Sequence, residues 1–509
     1  MEEEKLQIGI YHKGSIKMKI VIVGGGTAGW LAAHCLSKAQ PGQHKITVIE
    51  SSEIGIIGVG EATTGLTKDL LNGVLFPYSV DIEEFIRKTE ATNKMGILHK
   101  HWHKDRSSYF APLDGSDSFT NNNDIIFKYA LHKFGYDKFH RASRIGLKWD
   151  DKDYAEMHAY QFDTFLVGKF FEEHCLKDSI ELIDDVVHDV NVNEKGDISS
   201  LILSQGHKIE ADFFFDCTGF KRILMEKIGS KWISYKKYLP VDTAIPFRLK
   251  YKEGESPLPC TTATALSSGW MWDIPLQSRR GCGYVFDSSF INHEEAVAEI
   301  EQYLGHYIEP IKVIKFTSGK GDTFWKNNVL ALGLCASFVE PLESTSIHNT
   351  IVQIMVFIDE FLSSEKDKTV TEDNQKAYNK NINELFEYVF NFLSLHYQGG
   401  RDDSEFWRHI KEDKIVTDYT ASMISKAKNK IVGSVMFDNA NPWAPGNALW
   451  NWIMAGLKII TPEQAEHELR SSGTYEIAEN YFRRFEQQEL VKPNLGHAWS
   501  KKPYIEYTK

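Results

Sequence analysis

Between the β-branched run Lys19-Ile20-Val21-Ile22-Val23 and a helix-forming stretch from Trp30, the chain places Gly24-Gly25-Gly26-Thr27-Ala28-Gly29. No other feature restricts as strongly what it can fold into. A short apolar run bounded by glycine reads as a buried parallel strand. Gly-x-Gly-x-x-Gly between such a strand and a helix then gives each glycine its own task. Gly24 makes the tight turn, Gly26 lets the backbone approach a pyrophosphate, and Gly29 packs helix on sheet. Thr27 and Ala28 lie where the helix begins, with free N–H groups and partial positive charge facing the phosphates. A second strand, Lys45 to Glu50, ends in an acid about 20 residues past the last glycine. Glu50 is thereby placed to accept from the ribose hydroxyls. The pattern predicts an α/β, Rossmann-like fold that binds a dinucleotide.

The glycine turn does not choose between NAD and FAD; more distant strands do. Asp212 to Phe220 (DFFFDCTGF) is an apolar strand ending in the turn Asp216-Cys217-Thr218-Gly219. Val329 to Gly333 (VLALG) is another, leading through Gly333 towards a helix starting near Ser344. Strands so far apart converging on one cofactor predict FAD, in a flavin monooxygenase-type fold. A nicotinamide domain would complete its site within the first half of a smaller chain.

Of the 509 residues, 1–17 read as an N-terminal extension and 18–350 as one FAD-binding and substrate module. Residues 65–160 and the region of Trp270 read as substrate-side insertions in it. Residues 351–509 are expected to be mainly helical, beginning with the apolar-periodic Ile351 to Leu362, while charged Ser363 to Asp373 reads as a solvated loop. A net charge of -12 argues against broad nucleic-acid binding, which needs basic surface. The six cysteines lack CxxC spacing and companion histidines, so they read as buried free thiols in a reducing cytoplasm, with no metal site. No apolar run reaches the roughly 20 residues that span a bilayer. The acidic start Met1-Glu2-Glu3-Glu4 is wrong for a secretory signal. A cytoplasmic protein without nucleic-acid or membrane partners is expected, and a homo-oligomer is compatible with this composition.

Three further segments carry more specific information. Gly269 to Pro275 (GWMWDIP) contains WxWxIP, Ile57 to Thr63 contains GVGEAT, and Glu340 to Ser346 contains PLEST. Gln161-Phe162-Asp163, Gly283-Tyr284-Val285, Leu395-His396-Tyr397 and Asp403 to Arg408 (DSEFWR) accompany them. Together, in this order, they make most of residues 18–410 resemble the flavin-dependent, tryptophan-type halogenases. Trp270 and Trp272, followed by Ile274 and Pro275, have a plainer reading as strand core, since residues i and i+2 share a face. The resemblance implies instead that both indoles lie beside the flavin and keep organic substrate away from it.

The reaction that the resemblance implies has two stations. Reduced FAD (FADH2) and O2 supply the oxidant that turns chloride, bromide or iodide into hypohalous acid. That acid travels through the protein to a lysine beside an electron-rich aromatic substrate, indole- or phenol-like. Lys94, in Ala91 to Ile97, matches the lysine. It follows a stretch that opens with the capping-box-like Asp81-x-x-Glu84 and puts Ile82, Phe85, Ile86 and Thr89 on one buried face. A lysine among apolar neighbours has a lowered pKa and can act as a nucleophile. Glu343 matches the acid/base that takes the ring proton, chosen over Glu340 by the PLEST letters, and Ser344 positions one or the other. Thr345 and Ser346, in a turn entering a helix, are expected to bind halide through backbone N–H groups. With the glycine turn given to FAD, electrons are expected from a separate flavin reductase.

Two departures bear on substrate. Ala111-Pro112-Leu113 stands where tryptophan-specific members carry His-Pro-Phe around the indole, so free tryptophan is not the expected substrate. Ser346 stands where those members commonly have glycine, which leaves the halide open. An FAD monooxygenase that inserts oxygen is the alternative enzyme, and a non-catalytic FAD-binding protein is the alternative outside catalysis. Trp443, Trp450 and Trp452 read equally as pocket wall or as core.

Overall fold

A computed structural model describes residues 18–491 apart from 55–59, 77, 114–122, 151–158, 179, 363–370 and 432–440. The extension 1–17, the Ile57-Gly58-Val59 half of the GVGEAT segment and most of the charged stretch after Leu362 lie outside the described residues.

The central sheet has six strands, in the order Trp325–Lys326, Val329–Ala331, Phe213–Asp216, Lys19–Val23, Lys45–Glu50 and Glu181–Asp184. All neighbours are parallel except the first pair. Strands about three hundred residues apart in sequence thus lie two places apart in the sheet, as convergence on one cofactor requires. Ile20, Val21, Ile22 and Val23 are all buried, as expected where helices cover both faces of a parallel sheet. The helix Thr27–Ala39 leaves the glycine turn and packs against the helices Thr164–Lys177 and Thr345–Phe357. This is the Rossmann-like α/β architecture.

A second sheet has seven strands: Ile314–Lys315, Thr243–Lys250, Arg279–Phe286, Gly269–Pro275, Cys260–Ala265, Gly96–Lys100 and Ser108–Pro112. The 65–160 segment and the Trp270 region therefore share one continuous sheet. A three-stranded sheet, Glu61–Ala62, Ala159–Phe162 and Thr92–Lys94, carries the GVGEAT remnant and the lysine strand. Before it comes the helix Ile82–Thr89, capped by Asp81, whose carboxylate accepts from the Glu84 N–H at 3.1 Å. The helix ends at Glu90 in the left-handed region (φ 53°), so Lys94 sits on a strand beyond that turn.

From Glu372 the described chain is built of helices and their connections: Glu372–His396, Glu405–Glu412, Asp418–Asn429, Asn447–Gly456, Pro462–Ser471 and Tyr475–Val491. One expected boundary holds and one moves. The helix expected to start near Ser344 runs from Thr345 to Phe357 and continues as one wide π turn, Ile358–Leu362. The charged stretch expected as loop to Asp373 gives way sooner. Thr371 caps a helix whose first turn contains Glu372 and Asp373, where the helix dipole favours acids. Trp450 packs against Phe392 and Tyr419, and Trp452 against Phe127 and Phe139, so both are core side chains. All six cysteines are free thiols. No described helix is long and apolar enough to cross a membrane.

Candidate active site

The glycine turn closes only because it lacks side chains. Gly24 has φ 111°, and a Cβ there would lie 2.3 Å from the Cys217 carbonyl oxygen; one on Gly29 would lie 1.9 Å from the Gly24 oxygen. Gly26 differs: its Cβ would meet nothing within 4 Å, and it starts the helix without a side-chain cap. The buried Thr27 hydroxyl has no partner among the described residues. An uncapped helix N-terminus, an open approach and an orphan hydroxyl fit the pyrophosphate of FAD. Glu50 lies alongside, with Oε2 accepting from the Trp30 indole N–H at 3.0 Å. Gly333 (φ 60°) completes the cradle, because a Cβ there would lie 2.8 Å from the Ala28 Cβ. Asp216 is structural: its carboxylate accepts from the Thr218 N–H and hydroxyl and from the N–H groups of Leu224 and Met225.

The three motif segments, separated by up to 280 residues of chain, converge. On the strand Gly269–Pro275, Trp270, Trp272 and Ile274 alternate onto one face. Trp270 is buried and donates its indole N–H to Glu340 Oε2 at 2.9 Å. Trp272 occupies the slot left by Gly283, where a Cβ would come within 2.1 Å of its ring. Ile274 packs with Ala62 in the remnant of GVGEAT. Pro275 offers its carbonyl to the Thr92 hydroxyl at 2.6 Å, which ties the tryptophan strand to the lysine strand. Gln161 braces the latter, donating to Thr92 Oγ1 and the Asn93 carbonyl.

Lys94 is fully buried. Its Nζ donates to the Thr63 carbonyl at 3.0 Å and to Ser344 Oγ at 2.8 Å. Burial pulls its pKa down to about 7, against the raising influence of Glu343. Ser344 presents its hydroxyl from the left-handed region (φ 58°), a conformation that costs a non-glycine residue about 1 kcal/mol or more. The same kink starts the helix Thr345–Phe357 with no side-chain cap, and the buried Thr345 hydroxyl has no partner among the described residues. These features suit an anion at the N–H groups of Thr345 and Ser346.

Glu343 and Glu340 face different company. Glu340 Oε2 accepts from both Trp270 and the Tyr397 hydroxyl, and burial pushes its carboxyl up to about 7. Glu343 Oε1 lies 2.6 Å from His396 Nε2. His396 Nδ1 faces the Phe392 carbonyl at 3.1 Å; a carbonyl can only accept, so Nδ1 carries hydrogen. The 2.6 Å contact between Nε2 and Oε1 is a hydrogen bond that joins the histidine to the carboxylate. His99 Nε2 stands 3.6 Å from the same oxygen. Sequence reasoning assigned no role to His99, His396 or Tyr397. The last two lie in the segment Leu395-His396-Tyr397, already singled out; His99 left no local signal.

Comparison with known proteins places this architecture among the flavin-dependent halogenases. One from Xanthomonas campestris superposes with a TM-score of 0.77 at 27% identity, over 92% of this chain and 96% of that one. A tryptophan 6-halogenase from Streptomyces toxytricini gives 0.79 at 25%, over 97% and 100%. The profile of the tryptophan halogenase family matches residues 19–472, and the chain belongs to that family of enzymes. A 7-chloro-L-tryptophan 6-halogenase of Kutzneria sp. (strain 744) is 30% identical, over 89% of this chain and 93% of the relative.

Proposed function

We propose that this enzyme uses reduced FAD, O2 and a halide to halogenate an electron-rich arene, indole- or phenol-like, at Lys94 and Glu343. The observation that carries the reading is a buried lysine with lowered pKa, hydrogen-bonded to Ser344 beside Glu343. Gly24, Gly26, Thr27, Ala28, Gly29, Glu50 and Gly333 would hold FAD, and the N–H groups of Thr345 and Ser346 the halide. When bound, reduced FAD with O2 supplies the two-electron oxidant that converts halide into hypohalous acid, HOX. Trp270, Trp272, Ile274 and Pro275 wall the arene off from the flavin. Electrons reach the enzyme through a separate flavin reductase.

Thr63 and Ser344 occupy two N–H groups of the Lys94 ammonium, and the third is left for the oxygen of HOX. As the arene carbon attacks X, the C–X bond forms and the O–X bond breaks. Lys94 gives its proton to the departing hydroxide, which leaves as water. Glu343 takes the proton from the halogenated carbon, and its return to Lys94 resets the pair. The sum is Ar–H + HOX giving Ar–X + H2O. His396 holds Glu343 in position through their hydrogen bond.

A Lys94 pKa near 7 gives this step a pH signature. The ammonium is the competent form, so product formation with reduced FAD, O2, bromide and an arene is expected to fall as pH rises through about 7. Reoxidation of reduced flavin, followed in parallel, controls for effects at the cofactor. An arene-halogenation rate that stays flat between about pH 6 and 9 would remove Lys94 as the acid.

A further inference from the structure

His99 and Tyr109 are direct partners across the strands Gly96–Lys100 and Ser108–Pro112. Their rings stack with centroids 4.8 Å apart and 14° between the planes. Gly456 makes room for this arrangement, because a Cβ there would come within 2.3 Å of the Tyr109 ring. Both side chains are buried. Even so, neither nitrogen of His99 nor the Tyr109 hydroxyl has a hydrogen-bond partner among the described residues. Buried polar atoms are almost always paired, and an unpaired one is a net cost to folding. Three of them on two stacked rings point to a partner that the chain does not supply.

Their location says which kind. His99 Nε2 is 3.6 Å from Glu343 Oε1, and burial, with Glu343 nearby, pushes the Tyr109 phenol well above its ordinary pKa. We propose that His99 and Tyr109 form a subsite for the ring hydroxyl of a hydroxyarene substrate, next to Glu343. This rests on the reading of Lys94 and Glu343 as the halogenating pair. Burial, with His396 and Lys94 nearby, holds the His99 pKa well below its ordinary value. The imidazole is therefore neutral, with one N–H donor and one acceptor lone pair. A phenolic hydroxyl both donates and accepts, so it satisfies the His99 lone pair and the Tyr109 O–H together. An indole N–H only donates, and would leave the Tyr109 proton unpaired. A hydroxyl donating to a neutral imidazole also sends electron density into its ring, which favours attack on an electrophilic halogen.

The test compares 2-naphthol, 2-methoxynaphthalene and indole on wild type, His99→Phe and Tyr109→Phe. Phenylalanine keeps the ring stack in both variants. Affinities are read by calorimetry, and products by mass spectrometry with reduced FAD, O2 and bromide. Wild type is expected to bind 2-naphthol about ten- to a hundredfold more tightly than its methyl ether, and either substitution to bring that ratio within about threefold of one. Equal wild-type affinities, tightest binding of indole, or an unchanged ratio in both variants would overturn the subsite. Intact discrimination without halogenated product from any probe would leave the subsite standing and overturn the halogenase reading instead.

Discussion

Lys94→Ala is expected to lower arene halogenation by at least about a thousandfold. FAD affinity and the reoxidation of reduced flavin by O2 should stay within about twofold of wild type, as for sites that share no partners. The separation follows from where the lysine sits. Its hydrogen bonds go to Thr63 and Ser344, and none goes to the glycine turn. The loss therefore falls on the step that hands halogen to carbon. Lys94→Met is the companion variant: it fills the same buried volume, so failure to fold cannot imitate loss of function. Oxidised halide made by either variant should appear on an added thiol trap instead of the arene. Arene product at the wild-type rate in both variants would remove Lys94 from its role.

Glu343→Gln is expected to reduce turnover about a hundred- to ten-thousandfold with little change in KM. An amide preserves the shape of the carboxylate and can still meet His396, but it cannot take a ring proton. The substitution thus separates proton acceptance from substrate binding. Stopped-flow kinetics with saturating arene and bromide would read this as a lower kcat. Should KM rise while kcat holds, Glu343 would be a binding residue and the proton would leave by another route.

Much of the fold was legible because its signals are local. The glycine turn, its flanking strands and the acid at Glu50 lie within about thirty residues, and steric necessity at Gly24 and Gly29 leaves few alternatives. The distant strands at Phe213–Asp216 and Val329–Ala331 were readable as apolar runs bounded by small residues. Boundaries were less so. A wide π turn at Ile358–Leu362 keeps helical composition while changing the geometry, and Thr371 starts a helix inside a stretch whose charge suggested solvent. Glu90 reverses the chain through a left-handed conformation that its identity does not announce, which is why the setting of Lys94 on a strand was invisible. The reason to choose Glu343 over Glu340 was a string of letters. In the structure Glu340 is engaged by Trp270 and Tyr397 and Glu343 by His396, and Glu343 is the carboxylate whose charge reaches Lys94. His99 and Tyr109 meet only through the register of two strands, and no spacing within either reveals it.

The central claim is that oxidant made with the flavin is spent on halogen transfer elsewhere in the same protein. Its most direct test is a single assay with reduced FAD, O2 and a hydroxyarene, with and without bromide, the products being read by mass spectrometry. A monobrominated arene is expected to form only when bromide is present, with no oxygen added to the ring. A hydroxylated product, or turnover of the arene that does not depend on bromide, would contradict that claim.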